Sequence, residues 1–240
     1  MKISIVALLS ALALLASCAT DNFGPLPVPT KTGVGPTDAE LIGDKASTDN
    51  VLTYGMGYDQ NRYSPLRQIN KSNVKRLTPV WTAGLDNEFG EQAQPMIYDG
   101  VMYISNAKWT YAIDALTGKQ IWRTPTNFTP ETPRVVCCGI SNKGVALYKG
   151  KVFRTTLDAH VIALDQKTGK EIWKQKAAEW KEGYSMTVAP LIANGVLITG
   201  ISGAEFGIRG FIDGWDPDTG KRLWRRHTTA GPGEKGHETW

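Results

Sequence analysis

Histidine and cysteine are scarce: the 240-residue chain has three of each. His160, His227 and His237 lack the spacing of metal ligands, which argues against a zinc site. Long apolar runs are also few. Ile3 to Leu15 is almost wholly apolar but too short to span a bilayer, and no later segment is apolar enough to cross one. No helical hydrophobic period is sustained, which excludes a helical solenoid. Charge of one sign is not in excess either. The net charge is +4, spread along the chain, and leaves no electrostatic footprint for nucleic acid. Gly200 to Gly210 does not read G-x-G-x-x-G, and Gly220-Lys221 lacks the Walker spacing. Asp216-Pro217-Asp218 starts like a calcium loop but has His227 where the loop needs Glu. No G-x-S-x-G nucleophile elbow is present.

What the chain does have is a phrase repeated three times. It ends in a D-x-x-T-G-K turn and a Trp. Asp114, Asp165 and Asp216 recur at a constant interval of 51 residues, as do Gly118, Gly169 and Gly220, and Trp122, Trp173 and Trp224. A fixed period of this size marks a repeat architecture. Asp hydrogen-bonds the turn backbone and Gly supplies a positive φ, so each phrase predicts a hairpin between antiparallel strands. The Trp covers the hairpin and fills the space against the next unit. A second set of strand-like runs precedes each phrase: Pro95 to Tyr98 and Val101 to Ile104, Val145 to Tyr148 and Lys151 to Thr156, Ala189 to Ile192 and Val196 to Thr199. They are split by Asp99-Gly100, Lys149-Gly150 and Asn194-Gly195, strong two-residue hairpin signals. Four strands per unit with one aromatic each predict an all-β fold, a β-propeller of four-stranded blades.

Residues 1–17 read as an export signal, with Lys2 as its charged start. Leu15-Ala16-Ser17-Cys18 resembles a bacterial lipobox, so a lipidated Cys18 would tether the chain to a membrane; ordinary cleavage near Ala19 is the alternative. Residues 18–49 form a lead-in, of which Asp21 to Asp44 is rich in Pro, Gly and Thr and is expected to be an extended tether or edge wrapping. Residues 50–240 are expected to be the propeller.

Two local features point to chemistry. Cys137 and Cys138 are adjacent, with Cα atoms about 3.8 Å apart, closer than the usual disulfide range. In an exported protein thiols tend to oxidise, and a bond between the two would make a rigid, flat platform for a planar ligand. Unpaired thiols, or pairing with another chain, remain the alternative. The second feature is Ser202-Gly203-Ala204-Glu205-Phe206-Gly207. Its glycines let backbone approach a ligand, and Glu205 is either a hard donor for a cation such as Ca2+ or a solvated loop carboxylate. Arg209 reads as a brace for this loop.

Together these residues resemble the quinoprotein alcohol dehydrogenases, the methanol and ethanol dehydrogenases that use pyrroloquinoline quinone (PQQ). The resemblance covers Leu52 to Trp240. It rests on the three Trp phrases, on Cys137-Cys138-Gly139-Ile140-Ser141-Asn142-Lys143-Gly144, and on Thr187-Val188-Ala189-Pro190 with Ser202-Gly203-Ala204-Glu205. It implies an eight-bladed propeller of which this chain supplies about the first half. It also implies a Cys137–Cys138 disulfide stacked on one face of PQQ, with Thr187, Ser202, Gly203 and Ala204 lining the cofactor and Glu205 ligating a Ca2+ or lanthanide ion. Two positions depart from the family: Gln92 stands where a Glu is usual, and Lys143 where an Arg is usual. The Lys keeps the charge but loses the bidentate fork.

The catalytic base, an Asn metal ligand and a Trp on the other face of PQQ would lie beyond Trp240, so no residue here is assigned as base. The implied activity is periplasmic oxidation of a primary alcohol, with electrons passed to a cytochrome c or another periplasmic acceptor. The rival is a non-catalytic propeller lipoprotein of the outer-membrane assembly type. That rival leaves Cys137-Cys138 and the Glu205 loop without a purpose.

Overall fold

The structure, a computed structural model, describes residues 35–136 and 139–239. The export signal, the lipidation candidate Cys18 and the Cys137-Cys138 pair lie outside the described residues. Three four-stranded antiparallel meanders follow one another along the chain, each in the order of its sequence. Blade 1 is β1 (Met96–Tyr98), β2 (Val101–Ser105), β3 (Trp109–Asp114) and β4 (Gln120–Pro125). Blade 2 is β5 (Ala146–Tyr148), β6 (Lys151–Thr155), β7 (His160–Asp165) and β8 (Glu171–Lys176). Blade 3 is β9 (Leu191–Ala193), β10 (Val196–Gly200), β11 (Phe211–Trp215) and β12 (Arg222–His227). The expected propeller architecture is present. The strand expected over Ala189 to Ile192 starts two residues later, because Pro190 has no N–H for a ladder.

A meander of this kind has two ends. At one, the turn end, lie the links between first and second strands and between third and fourth strands. Asp99-Gly100, Lys149-Gly150 and Asn194-Gly195 all adopt positive φ at both positions (52° and 76°, 44° and 75°, 48° and 72°). That geometry matches the right-handed twist of the strands. In the repeated phrases Asp114 Oδ1 accepts the N–H groups of Leu116 and Thr117, Asp165 those of Lys167 and Thr168, and Asp216 those of Asp218 and Thr219. The Thr117 and Thr168 hydroxyls, and the Thr219 N–H, hold the three carboxyls below the usual aspartate range.

The tryptophans tie the blades together. The Trp122 indole N–H donates to Gln166 O at 3.1 Å, and that of Trp173 to Pro217 O at 3.2 Å. Each ring lies over the turn glycine of the next blade: a Cβ on Gly169 would sit 2.6 Å from Trp122, and one on Gly220 2.8 Å from Trp173. Both rings are buried. Trp81, outside the 51-residue interval, does the same for blade 1, with its N–H on Ala115 O at 3.1 Å and Gly118 beneath its ring.

The lead-in departs from expectation. Instead of staying extended to Asp44, the chain forms helix α1 (Asp38–Gly43) and a 3-10 turn over Asp44–Ala46. The cause is a capping box: Thr37 Oγ accepts from Glu40 N–H, and the Glu40 carboxylate accepts from Thr37 N–H at 2.8 Å. α1 closes the turn end. Asp38 accepts the Tyr148 hydroxyl at 2.7 Å and the Gly195 N–H at 3.3 Å, and Pro36 O accepts the Lys149 N–H. Leu41 packs with Leu52, Met96, Val145, Leu147 and Ile192 in a closed apolar centre.

Candidate functional site

The opposite end, the loop end, carries the links between second and third strands and the connections from one blade to the next. Every described residue singled out for chemistry is here. Gln92 precedes β1, Lys143 precedes β5, Thr187 precedes β9, and Ser202 to Glu205 lie between β10 and β11. Hydrogen bonds bring these segments together. Gln94 bridges Gly144 in parallel, Lys143 N–H donates to Thr187 O at 2.9 Å, and Ser185 and Ser202 form a reciprocal antiparallel bridge at 3.0 and 2.8 Å.

Glycine shapes the Ser202 loop. Gly203 has φ +127°, and a Cβ there would lie 2.0 Å from the Gly183 carbonyl oxygen. The backbone therefore folds closely against its neighbour, and Ala204–Phe206 makes a 3-10 turn that ends at the left-handed Gly207. Glu205 projects from this turn and is exposed. Arg209 braces the loop as expected: its Nε donates to Thr229 O at 2.9 Å, and its guanidinium pairs with Glu234.

Backbones here are pinned while side chains are not. Among the described residues, the side chains of Gln92, Lys143, Thr187, Ser202 and Glu205 make no hydrogen bond or ion pair with the protein. The buried Ser185 hydroxyl, beside Ser202, is also without a partner there. One cation, one carboxylate, one amide and three hydroxyls are thus left for something else. That donor set suits a polar, anionic ligand, and PQQ, a planar quinone with carboxylates, fits it. No group of three or more His, Cys, Asp or Glu gathers among the described residues, so Glu205 alone does not complete a metal site.

The sequence model of the PQQ glucose/ethanol/alcohol dehydrogenase β-propeller domain matches residues 52–240. The chain belongs to this family. Among curated relatives, the quinoprotein alcohol dehydrogenase PedH of Pseudomonas putida KT2440 is 44% identical over 202 residues, covering 81% of this chain and 33% of PedH. The 1-butanol dehydrogenase (quinone) of Thauera butanivorans is 38% identical over 241 residues, covering 95% of this chain and 35% of the relative. Among solved structures, a europium-containing methanol dehydrogenase superposes with a TM-score of 0.76 at 34% identity, over 80% of this chain and 34% of its own. The quinohemoprotein alcohol dehydrogenase of Comamonas testosteroni gives 0.77 at 38% identity, over 82% of this chain and 30% of its own. The chain spans about a third of the length of these family members.

A second layer, absent from the sequence reading, lies beneath the site. Asn142, Thr155 and Arg154 are buried polar residues that link the three blades. Arg154 donates to Thr155 O, Trp109 O, Thr110 Oγ and Asn106 O. Burial pulls its pKa down to about 9, so it stays a cation at neutral pH. Asn142 lies within the Cys137 to Gly144 motif, but nothing in the sequence marked its side chain or Arg154 and Thr155 as interblade ties, because none recurs at the repeat interval.

Proposed function

We propose that this arc of propeller supplies one side of a PQQ site in an enzyme that oxidises a primary alcohol in the periplasm. The observation that carries the reading is the set of unpartnered polar side chains on pinned backbone at the loop end. When bound, PQQ accepts the two electrons that the alcohol loses on becoming a carbonyl compound, with a Ca2+ or lanthanide ion as Lewis acid. Lys143 supplies positive charge toward the quinone's carboxylates, and Gln92 offers an amide to the same anionic groups. The Thr187 and Ser202 hydroxyls hydrogen-bond the cofactor edge, and Gly203 and Ala204 let backbone approach it. Cys137 and Cys138, if bonded to each other, would offer a flat apolar surface to the planar quinone. Glu205 contributes one carboxylate to the metal, which needs further oxygen ligands from outside this arc. A cytochrome c or another periplasmic acceptor takes the electrons, and a lipidated Cys18 would hold the enzyme at a membrane.

The test is a dye-linked alcohol oxidation assay on the full-length polypeptide carrying these residues, with and without added PQQ, and with Ca2+ or La3+. Alcohol-dependent dye reduction that requires both the quinone and one of the ions is expected. Absence of quinone binding in the presence of either ion would overturn the reading. Non-reducing peptide mapping of the same protein should show Cys137 and Cys138 in one intact bridge, and free thiols at both would remove the platform.

A further inference from the structure

We propose that Asn142 is a positioning residue that sets the Lys143 ammonium in the quinone site by tying three blades together through its side-chain amide. The inference rests on the quinone-binding reading above and goes beyond it.

Asn142 is buried, 2% exposed, while its neighbour Lys143 is exposed. Every polar atom of the Asn142 side chain is engaged. Oδ1 accepts the Ser105 hydroxyl at 2.6 Å, from the end of β2 in blade 1, and the Gly144 N–H at 3.1 Å. Nδ2 donates to Thr155 O at 3.0 Å, at the end of β6 in blade 2. These partners fix the amide's orientation, since two donors face the oxygen and a carbonyl faces the nitrogen. On the other side of the same peptide, Lys143 N–H donates to Thr187 O, which belongs to the approach to blade 3. Thr155 extends the tie, with its hydroxyl donating to Val188 O at 2.7 Å.

The peptide joining Asn142 to Lys143 is therefore held from blades 1, 2 and 3 at once. Loss of any one tie would leave buried donors or acceptors unpaired, so the arrangement is held as a unit. The only long side chain that leaves this clamp toward solvent is that of Lys143, and it has no partner among the described residues. A lysine reaches a ligand as a flexible point charge, and its placement depends on the backbone beneath it. The amide of Asn142 supplies that backbone with its fixed position.

The test is a double-mutant cycle read as PQQ affinity, by fluorescence titration of the full-length polypeptide without turnover. Asn142→Ala and Lys143→Gln are each expected to weaken quinone binding about tenfold, the scale on which residues behind a ligand shell act. The double variant should bind no more weakly than Lys143→Gln alone, because Asn142 acts through the lysine. A purely structural role would give independent losses that multiply. Multiplying losses, or wild-type affinity in Asn142→Ala, overturn the inference. A wild type that does not bind PQQ overturns the quinone reading and the inference with it. Should Asn142→Ala not fold, Ser105→Ala takes its place in the cycle: it removes one donor from Oδ1 and leaves the amide. It is expected to give a smaller loss that Lys143→Gln also masks, and a loss that multiplies overturns the inference.

Discussion

The turn end and the loop end of the blades are built from the same strands under opposite rules. At the turn end one solution is used three times: an Asp that gathers two N–H groups, a Gly with φ of 70–71°, and a Trp laid over it from the preceding blade or, for blade 1, from the segment before it. At the loop end a backbone bond recurs, from the N–H groups of Thr126, Ala177 and Thr228 to Lys108, Ala159 and Gly210 O, but the side chains do not. The links between second and third strands are residues 106–108, 156–159 and 201–210, and each blade-to-blade connection differs. The turn end holds the blades at a fixed spacing, which leaves the loop end free to vary. Chemistry collects where the period breaks.

Three changes would sharpen that contrast, from the largest effect on stability to the smallest. Trp173→Ala removes a buried ring and an interblade hydrogen bond, and is expected to cost about 3–5 kcal/mol in urea unfolding. A loss below about 1 kcal/mol would mean that the tryptophans do not carry the blade contacts.

The second change concerns acid. The turn carboxyls Asp114, Asp165 and Asp216 have folded pKa values depressed below the unfolded value of about 3.9. Their contribution is fully present above that pH and is lost as pH falls through the folded values. Replacing all three with Asn should flatten the dependence of stability on pH below about 4. An unchanged acid slope would place the sensitivity elsewhere.

The smallest effect on stability is expected at the loop end. Glu205→Gln should shift unfolding by less than about 0.5 kcal/mol, since the side chain is exposed and touches no partner among the described residues. Its metal requirement should nonetheless change, read as the ion concentration that half-saturates activity. A large loss of stability with unchanged metal dependence would make Glu205 a structural residue.

The turn end was legible in the sequence because its determinants are local. Asp-to-Thr-Gly spacing and the Asn-Gly class of dipeptides act within four residues, so a linear reading finds them. Trp81 was missed as a docking residue because it breaks the interval, although it makes the same contact as Trp122 and Trp173. Helix α1 was hidden behind the prolines upstream, and the Thr37–Glu40 box outweighed that composition. At the loop end, Lys143, Thr187 and Ser202 could be named from motifs. The ties made by Asn142, Thr155 and Arg154 could not, although Asn142 stands inside one of those motifs, since they reach into other blades and no short-range pattern encodes them.

The clasp that α1 makes across the turn end sets an order of events in synthesis. Asp38 is bonded to Tyr148, 110 positions later, and to Gly195, 157 positions later; Tyr58 reaches Ile192, 134 positions on. At about 5–20 residues per second of translation, Asp38 waits about 8–30 s for its last partner to exist. Through that interval Leu41, Met96 and Leu147 have no complete apolar centre to enter. The part of the compact region that is made first is thus the part that settles last. A nascent chain arrested before Gly195 should bind holdase chaperones that the finished three-blade arc no longer attracts.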